Sequence, residues 1–132
     1  DFDRDPPRLA TMARIYDATN PDLAAFRDRG GKLLLFHGWA DPLVTPQRTL
    51  EYYAAVRARM GGNESTAEFA RLFMLPGVDH CGLQPGPGAQ SLAFDPLPAL
   101  EAWVERNEPP DRLQIRWQMN DGSVRSRDVQ AQ

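Results

Sequence analysis

The sequence has few of the features that mark membrane, nucleic-acid-binding or disulfide-rich proteins. Among its 132 residues there is one cysteine, Cys81, so a disulfide within the chain is excluded. No apolar run approaches the roughly 18 residues of a membrane span, and the first residues lack the basic and apolar regions of a signal peptide. The 15 basic and 18 acidic residues give a net charge of −3 without a basic cluster, which argues against nucleic-acid binding. We therefore expect neither a nucleic-acid nor a membrane partner.

What the chain does contain is two compact apolar runs. Residues Lys32 to His37 and Ala70 to Leu75 carry consecutive rather than alternating apolar side chains, which is typical of strands covered on both faces of a parallel sheet. Between them, Thr45-Pro46 is a common helix start and Gly61-Gly62 a common helix stop. The pattern predicts an α/β architecture in which a helix connects two parallel strands.

Other segments predict flanking elements. A short helix is indicated by the spacing of Leu9, Met12 and Tyr16, and a second one by Asn20-Pro21 at its start and Gly30-Gly31 at its end. Residues 63–68 are interpreted as a polar loop and residues 82–88 as a Gly/Pro-rich loop. A last helix follows Asp95-Pro96, with these residues on one face: Leu97, Leu100, Trp103 and Val104.

The C-terminal segment has a different periodicity. Leu113, Ile115, Trp117 and Met119 alternate with polar residues, and Asp121-Gly122 supplies a turn, so residues 112–132 are predicted to form a terminal hairpin or tail. Two strands that are buried on both faces need further neighbours and helical cover. We therefore expect residues 1–132 to form the C-terminal part of one domain, and an incomplete one.

Two polar clusters follow the two predicted strands directly. They read His37-Gly38-Trp39-Ala40-Asp41-Pro42 and Gly77-Val78-Asp79-His80-Cys81-Gly82. Because ligand sites form beyond the carboxyl ends of parallel strands, we expect Asp41 and His80 to converge. In α/β hydrolases the chain order is nucleophile, acid, histidine, and Asp41 and His80 fit the last two positions. The carboxylate would orient the imidazole, which would take the proton of the nucleophile.

Each of these residues also has a simpler interpretation. Asp41 fits an Asp-Pro turn, and His80 fits a hydrogen-bonded structural histidine. His37 fits either the oxyanion-type His-Gly of lipases or packing at a strand end. A metal site made by His37, Asp41, Asp79, His80 and Cys81 is an alternative, although their spacing matches no strong ligand pattern. Cys81 fits a buried small apolar residue or, less readily, a thiol nucleophile.

A nucleophilic serine is missing from the pattern. None of the four serines lies in Gly-x-Ser-x-Gly or in a predicted strand-to-helix turn; they are Ser65, Ser91, Ser123 and Ser126. The isolated chain is therefore predicted to be inactive, with its nucleophile located outside these residues.

The two clusters and their surroundings resemble the tannase/feruloyl esterase family. The resemblance runs from about Asn20 to Trp103, and a histidine followed by cysteine is its most specific feature. Phe2-Asp3 and Asp5 also look like a family segment. The matching motifs are Gly30-Gly31-Lys32-Leu33-Leu34-Leu35-Phe36-His37-Gly38-Trp39-Ala40-Asp41-Pro42, Tyr52-Tyr53, Arg71-Leu72-Phe73-Met74-Leu75-Pro76-Gly77, Asp79-His80-Cys81-Gly82 and Gly86-Pro87-Gly88.

The resemblance implies a C-terminal portion of an α/β-hydrolase sheet and specific residue roles. Asp41 matches the triad acid and His80 the triad base. Cys81 matches a cysteine that is disulfide-bonded to the residue before the nucleophilic serine, which would lie in a segment outside this chain. Val44 falls where some members contact substrate. The family's calcium site belongs to a lid domain upstream, so no metal ligand is assigned here. A secreted or periplasmic location is likewise implied.

The resulting hypothesis is hydrolysis of carboxylic esters of aromatic acids, of feruloyl or galloyl type, through a Ser-Asp-His triad. The partners would be a small aromatic ester and the N-terminal part of the same domain. One rival is another α/β hydrolase, of peptidase or dienelactone-hydrolase type, which needs Asp41 and His80 but not a paired Cys81. A second is a catalytically inactive interaction module in which an exposed Trp39, Trp103 or Trp117 makes the contacts.

Overall fold

A computed structural model describes residues 1–82 and 86–132. Positions 83–85, part of the predicted Gly/Pro-rich loop, lie outside the described residues. The strands are β1 Leu33–Gly38, β2 Ala70–Leu75, β3 Ala89–Ala93, β4 Arg112–Met119 and β5 Val124–Gln130. The helices are α1 Ala10–Tyr16, α2 Ala24–Arg27, α3 Pro46–Arg59, α4 Asn63–Ala67 and α5 Leu97–Arg106, with 3₁₀ turns at Pro6–Leu9 and His80–Gly82.

Strands β1 and β2 form the predicted parallel pair. They run in register from Leu33 opposite Ala70 to Gly38 opposite Leu75, so their carboxyl ends are level. Helix α3 begins at Pro46 as predicted and makes the connection. Because the strands end together, the segments that follow them leave the sheet at the same edge.

The two faces of the parallel pair are covered by different layers. On one face, Leu33, Leu35 and Leu72 pack against α3, where Tyr53 and Val56 are buried. The other face packs against the C-terminal strands, and its cluster contains Leu34, Phe73, Leu75, Ile115 and Val129. Strand β2 is buried almost throughout, whereas β1 is only partly buried and Phe36 is 50% exposed. The prediction of two fully buried strands is thus correct for β2 and wrong for β1, which has a sheet neighbour on one edge within the described residues.

The C-terminal residues form an antiparallel sheet of three strands in the order β3-β4-β5. The predicted hairpin is the β4–β5 pair, and β3 was not predicted. After β5 the chain reaches β2, where Ala131 forms a bridge with Phe73 and the amide of Gln132 donates to the Leu72 carbonyl at 2.9 Å. The last residues therefore occupy the edge of β2 that faces away from β1.

Two helix predictions need correction. Helix α2 begins at Ala24 rather than beside Asn20, because the Asn20 side chain accepts from the Asp22 amide and Asp22 from the Ala24 amide in successive turns. Residues 63–67 form the short helix α4 instead of a loop. Gly62 at φ 97° redirects the chain after α3, and the burial of Thr66 holds the turn against the core.

The apolar helix faces that the sequence predicts are only partly buried. In α5, Trp103 is 1% exposed and lies under Lys32 and Arg71, whose charged groups are 5.3 and 5.9 Å from its ring, whereas Leu97 and Val104 are exposed. The suggestion that Trp103 is an exposed contact residue is therefore wrong. The residues of the first helical segment, Leu9, Met12 and Tyr16, are exposed. No described helix combines the length and apolarity needed to cross a bilayer.

Candidate functional site

The site lies where the segments after β1 and β2 cross. The amide of Trp39 donates to the Leu75 carbonyl at 2.9 Å, and the amide of Ala40 donates to the Val78 carbonyl at 3.0 Å. A Cβ atom on Gly38 would lie 2.1 Å from the Val78 carbonyl oxygen, far inside contact distance, so this close approach requires glycine. The crossing brings the two polar clusters side by side.

Asp41 is buried at the centre of this crossing, with 5% of its side chain exposed. Its Oδ1 accepts hydrogen bonds from the amides of Leu43 at 2.8 Å and Val44 at 2.9 Å. An aspartate side chain in a turn commonly accepts a hydrogen bond from the backbone amide two residues later. Asp41, which precedes a proline, adopts such a turn. Asp41 is therefore a turn former, as its simpler interpretation held, but its other oxygen points elsewhere.

The second oxygen of Asp41 contacts His80. Oδ2 lies 2.8 Å from Nδ1 of His80, so the expected contact between the two clusters is present. Since a carboxylate only accepts, Nδ1 carries the hydrogen. Nε2 is then the ring nitrogen left to take a proton. The His80 side chain is 34% exposed and lines a cavity.

Asp41 is held in its charged form. Burial alone raises the pKa of its carboxyl, but hydrogen bonds from the Val44 amide, from His80 and from the Leu43 amide, together with the charge of the His80 ring, outweigh burial and hold that pKa well below the usual 3.8. An ionised Asp41 accepts from Nδ1 of His80 and stabilises a protonated ring. This pair can therefore orient an imidazole and support its action as a base.

His37 makes contacts that the sequence patterns did not predict. Its Nε2 lies 3.2 Å from Oδ2 of Asp41 and 3.1 Å from the carbonyl oxygen of Val44, and its Nδ1 lies 2.6 Å from the hydroxyl of Thr49 on α3. Alternation along β1 places residue 37 on the same face as Leu33 and Leu35, toward α3. One signal in the sequence indicates a common site for both histidines of the chain. His37 lies at the end of the first predicted buried strand, and His80 lies in the segment that follows the second.

A cavity of about 450 Å³ opens beside the Asp41–His80 pair. Its size falls in the range of small-molecule sites. Phe36 and Phe94 meet edge to face in its wall with ring centroids 5.1 Å apart. The other apolar side chains in the wall are Val44, Leu75, Val78, Leu92 and Pro96. The cavity thus offers an apolar, partly aromatic surface next to a polar pair.

The remaining predicted residues lie in or near the same site. Val44 lines the cavity and is 47% exposed. Cys81 also lines it, as an exposed free thiol at φ 58°. Asp79 also lines the cavity. Within residues 1–82 and 86–132, no group of three or more His, Cys, Asp or Glu side chains is arranged to hold a metal ion, so the metal alternative gains no geometric support.

No described serine occupies a strand-to-helix turn. Ser65 lies inside α4, which follows a helix, and Ser91 and Ser126 lie within strands. Ser123 is in the turn between β4 and β5, where its hydroxyl and amide donate to Asp121. The structure therefore places an acid and an imidazole together without a serine nucleophile among the described residues.

Comparison with known proteins identifies relatives along almost the whole chain. The family described as tannase and feruloyl esterase matches residues 2–131, which extends the resemblance found in the motifs to both ends. A mono(2-hydroxyethyl) terephthalate hydrolase from Piscinibacter sakaiensis is 46% identical over 121 residues, covering 86% of this chain and 19% of the relative. A probable feruloyl esterase from Arthroderma benhamiae is 43% identical over 100 residues, covering 76% of this chain and 18% of the relative.

Solved structures show the same arrangement of elements. An esterase from Aspergillus oryzae superimposes with a TM-score of 0.78 at 27% identity, covering 94% of this chain and 28% of that structure. The chain spans about a fifth of the length of the curated relatives it matches. Its two sheets correspond to a portion of these larger esterases.

Proposed function

This chain belongs to the tannase and feruloyl esterase family, and we propose that the protein carrying it hydrolyses carboxylic esters of aromatic acids through a serine acyl-enzyme route. In this scheme His80 is the general base and then the general acid, and Asp41 orients it. The observation that carries the proposal is the 2.8 Å contact between Asp41 Oδ2 and His80 Nδ1. The relatives described by name as feruloyl esterase and terephthalate hydrolase support an aromatic ester as substrate.

The chemical steps follow from the tautomer of His80. With Nδ1–H donated to Asp41, Nε2 accepts the proton of a serine hydroxyl as its oxygen attacks the ester carbonyl. The ring then returns the proton to the leaving alcohol, and in the second half-reaction activates water against the acyl-enzyme. Asp41 remains ionised throughout and stabilises the protonated ring. The serine is supplied from outside residues 1–132.

The cavity supports an aromatic acyl or alcohol group. Phe36, Phe94 and Leu92 form an apolar wall within the same cavity as His80, and aromatic rings pack well edge to face against such a wall. Val44 follows the acid by three residues and lines the cavity, consistent with a substrate contact. Choice among feruloyl, galloyl and terephthaloyl esters is assigned to residues outside this chain.

Cys81 is proposed to pair with a cysteine next to the nucleophilic serine. Its thiol is exposed and free within this chain, and its backbone is in the left-handed region at φ 58°, a conformation that costs about 1–3 kcal/mol and is retained where surroundings enforce it. A disulfide there would fix His80 beside the nucleophile. It would also place the protein in an oxidising compartment, secreted or periplasmic.

The triad assignment is tested by substitution in the full-length protein. Asp41→Asn leaves the shape of the side chain but presents an amide to the rings, and we expect kcat on methyl ferulate to fall by about 10⁴-fold. His80→Ala is expected to cause a loss at least as large. Steady-state kinetics with folding checked by circular dichroism are the measurement.

Asp28→Asn is the matched control for the Asp41 change. Asp28 is an exposed carboxylate paired with Arg27, away from the site, so its substitution should leave kcat within twofold of the parent. Full activity in both Asp41→Asn and His80→Ala would refute the proposed function. Turnover by residues 1–132 alone that disappears in His80→Ala would refute the external nucleophile.

A further inference from the structure

The carboxylate of Asp41 is shared by two histidines. Its Oδ1 accepts only backbone amides, from Leu43 and Val44, whereas its Oδ2 lies between the rings of His80 at 2.8 Å and His37 at 3.2 Å. The His37 ring is largely enclosed, with 12% of its side chain exposed. A ring that served only to fill space would not need these polar contacts.

The tautomer of His37 follows from its neighbours. Nε2 faces two acceptors, Asp41 Oδ2 and the Val44 carbonyl oxygen at 3.1 Å, so Nε2 carries a hydrogen and donates. In the neutral ring Nδ1 is then an acceptor. The Thr49 hydroxyl, 2.6 Å away on α3, can rotate to donate to it. A hydrogen-bond chain therefore runs from Thr49 through His37 and Asp41 to His80.

This hydrogen-bond chain fixes a side-chain torsion of Asp41 that the Leu43 and Val44 amides leave free. The torsion that turns a carboxylate about its bond to Cβ has a broad energy minimum. The Leu43 and Val44 amides anchor Oδ1, but the group can still turn about that anchor and carry Oδ2 away from His80. A donor from His37 on the other side of Oδ2 closes this rotation. Two anchored oxygens define the plane of the carboxylate.

We propose that His37 is a positioning residue for the reaction: held in its Nε2–H tautomer by Thr49, it fixes the plane of Asp41 so that Oδ2 faces His80. This inference rests on the proposed function, because it concerns how the acid of the same triad is aligned. His37 lines the cavity, but its ring nitrogens are occupied by Thr49, Asp41 and the Val44 carbonyl, and it exchanges no proton in the scheme. Its effect reaches the chemistry only through Asp41 and His80.

Three variants of the full-length protein test the proposal with methyl ferulate as substrate. His37→Leu removes both ring nitrogens at similar volume, and we expect kcat to fall by about 10- to 100-fold, since small misplacement of a catalytic group has effects of this size. KM should stay within about twofold, because both ring nitrogens of His37 bond to Thr49, Asp41 and Val44 and neither is free for the substrate. The side-chain amide in His37→Gln can still donate to Asp41, so the kcat of this variant should be at least about fivefold higher than that of His37→Leu.

Thr49→Val removes only the hydroxyl that sets the tautomer, and we expect kcat to fall by about three- to tenfold. Its matched control is Thr66→Val, the same change at a buried threonine whose hydroxyl has no hydrogen-bond partner among the described residues; this variant should keep full kcat. If His37→Leu fails to fold, His37→Gln and Thr49→Val decide the question by the same kinetics.

A second readout does not depend on activity. In the ¹⁵N-histidine spectrum of the protein near neutral pH, assigned by comparison with His37→Gln, Nδ1 of His37 should appear as an unprotonated, hydrogen-bond-accepting nitrogen. In Thr49→Val this signature should weaken. A protonated Nδ1 in the parent protein would overturn the proposal.

The kinetic outcomes separate this proposal from the function it rests on. If Asp41→Asn and His80→Ala lose activity while His37→Leu keeps or raises kcat, the triad stands and the positioning role is wrong. Equal losses in His37→Leu and His37→Gln with raised KM indicate a packing role and also overturn it. If Asp41→Asn and His80→Ala are active, the proposed function itself fails.

Discussion

Asp41 combines burial with a persistent negative charge, and the reason lies in the donors around it. Enclosure in the crossing favours the neutral acid, whereas two amides and the His80 ring favour the ion, and the donors prevail. A carboxyl whose pKa is lower in the folded chain than in the unfolded chain stabilises the fold at every pH above its unfolded value. That contribution disappears as the pH falls toward the folded value.

The pH dependence of stability should therefore reflect the ionisation of the Asp41 carboxyl. Asp41→Asn is expected to lower the free energy of unfolding by its full amount at about pH 5, where the Asp41 carboxyl is ionised in the folded and the unfolded parent protein. Below the usual carboxyl pKa of 3.8 the difference in unfolding free energy between parent and variant should become smaller. Protonation of Asp41 then removes from the parent a stabilising contribution that the asparagine variant lacks at every pH. Denaturant unfolding at a series of pH values measures it. A difference that is unchanged down to strong acid would contradict the depressed pKa.

The position of single side chains was only partly predictable. The sequence located Asp41 and His80 because each follows a strand, and parallel strands end at one edge. It did not reveal that His37 contacts Asp41, since residues four apart meet on a helix but here lie across an irregular turn. Thr49 could not be paired with His37 either, because that contact depends on how α3 packs on β1.

At the level of elements, the crossing behind Gly38 joins the ends of β1 and β2. A methyl group at this position meets the backbone carbonyl of Val78, and neither strand can shift without disturbing the register of the pair. Gly38→Ala is therefore expected to cost about 3 kcal/mol, the upper part of the usual range for overpacking, and to abolish activity. Thermal or denaturant unfolding of the full-length protein measures the loss.

Gly31→Ala is the informative comparison for Gly38. Its added carbon would lie 2.6 Å from ring atoms of Phe26, which is a side chain able to move, not a strand backbone. We expect a clearly smaller loss of stability and retained activity. Equal effects of the two substitutions would show that the Val78 contact does not constrain the crossing.

The predictability of elements followed the strength of their local signals. Strand β2 was predicted with its observed bounds and β1 to within one residue, because consecutive apolar residues fit a covered strand. Strand β3 reads Ala-Gln-Ser-Leu-Ala and has no such run. It is strand only because β4 pairs with it, a tertiary effect that overrides weak propensity. The same dependence on packing explains why α4 is helical although its sequence predicts a polar loop.

Across the whole molecule, the antiparallel sheet and the parallel pair share one apolar layer. Val129 of β5 packs in the cluster of Phe73 and Ile115 and is 6% exposed, whereas Val124 of the same strand is 62% exposed. The C-terminal hairpin is thus part of the cover of β2 rather than an independent appendage. The sequence predicted the hairpin but did not indicate where it docks.

A pair of substitutions on β5 tests this docking. Val129→Ala should lower the free energy of unfolding by about 2 kcal/mol, as expected for deleting buried methyl groups, and should speed amide hydrogen exchange in β2 as well as in β5. Val124→Ala should leave both nearly unchanged. Faster exchange confined to β5 after Val129→Ala would mean that the hairpin opens without exposing the parallel strands.

The contact of residues 131 and 132 with β2 has a consequence for how the protein fails under stress. An unpaired strand edge is a template on which another polypeptide can add, and five of the six residues of β2 are buried. While Ala131 and Gln132 are hydrogen-bonded to β2, its edge is not available to another polypeptide. Local opening of these two residues would expose that edge and provide a nucleus for aggregation while the crossing behind Gly38 stays intact.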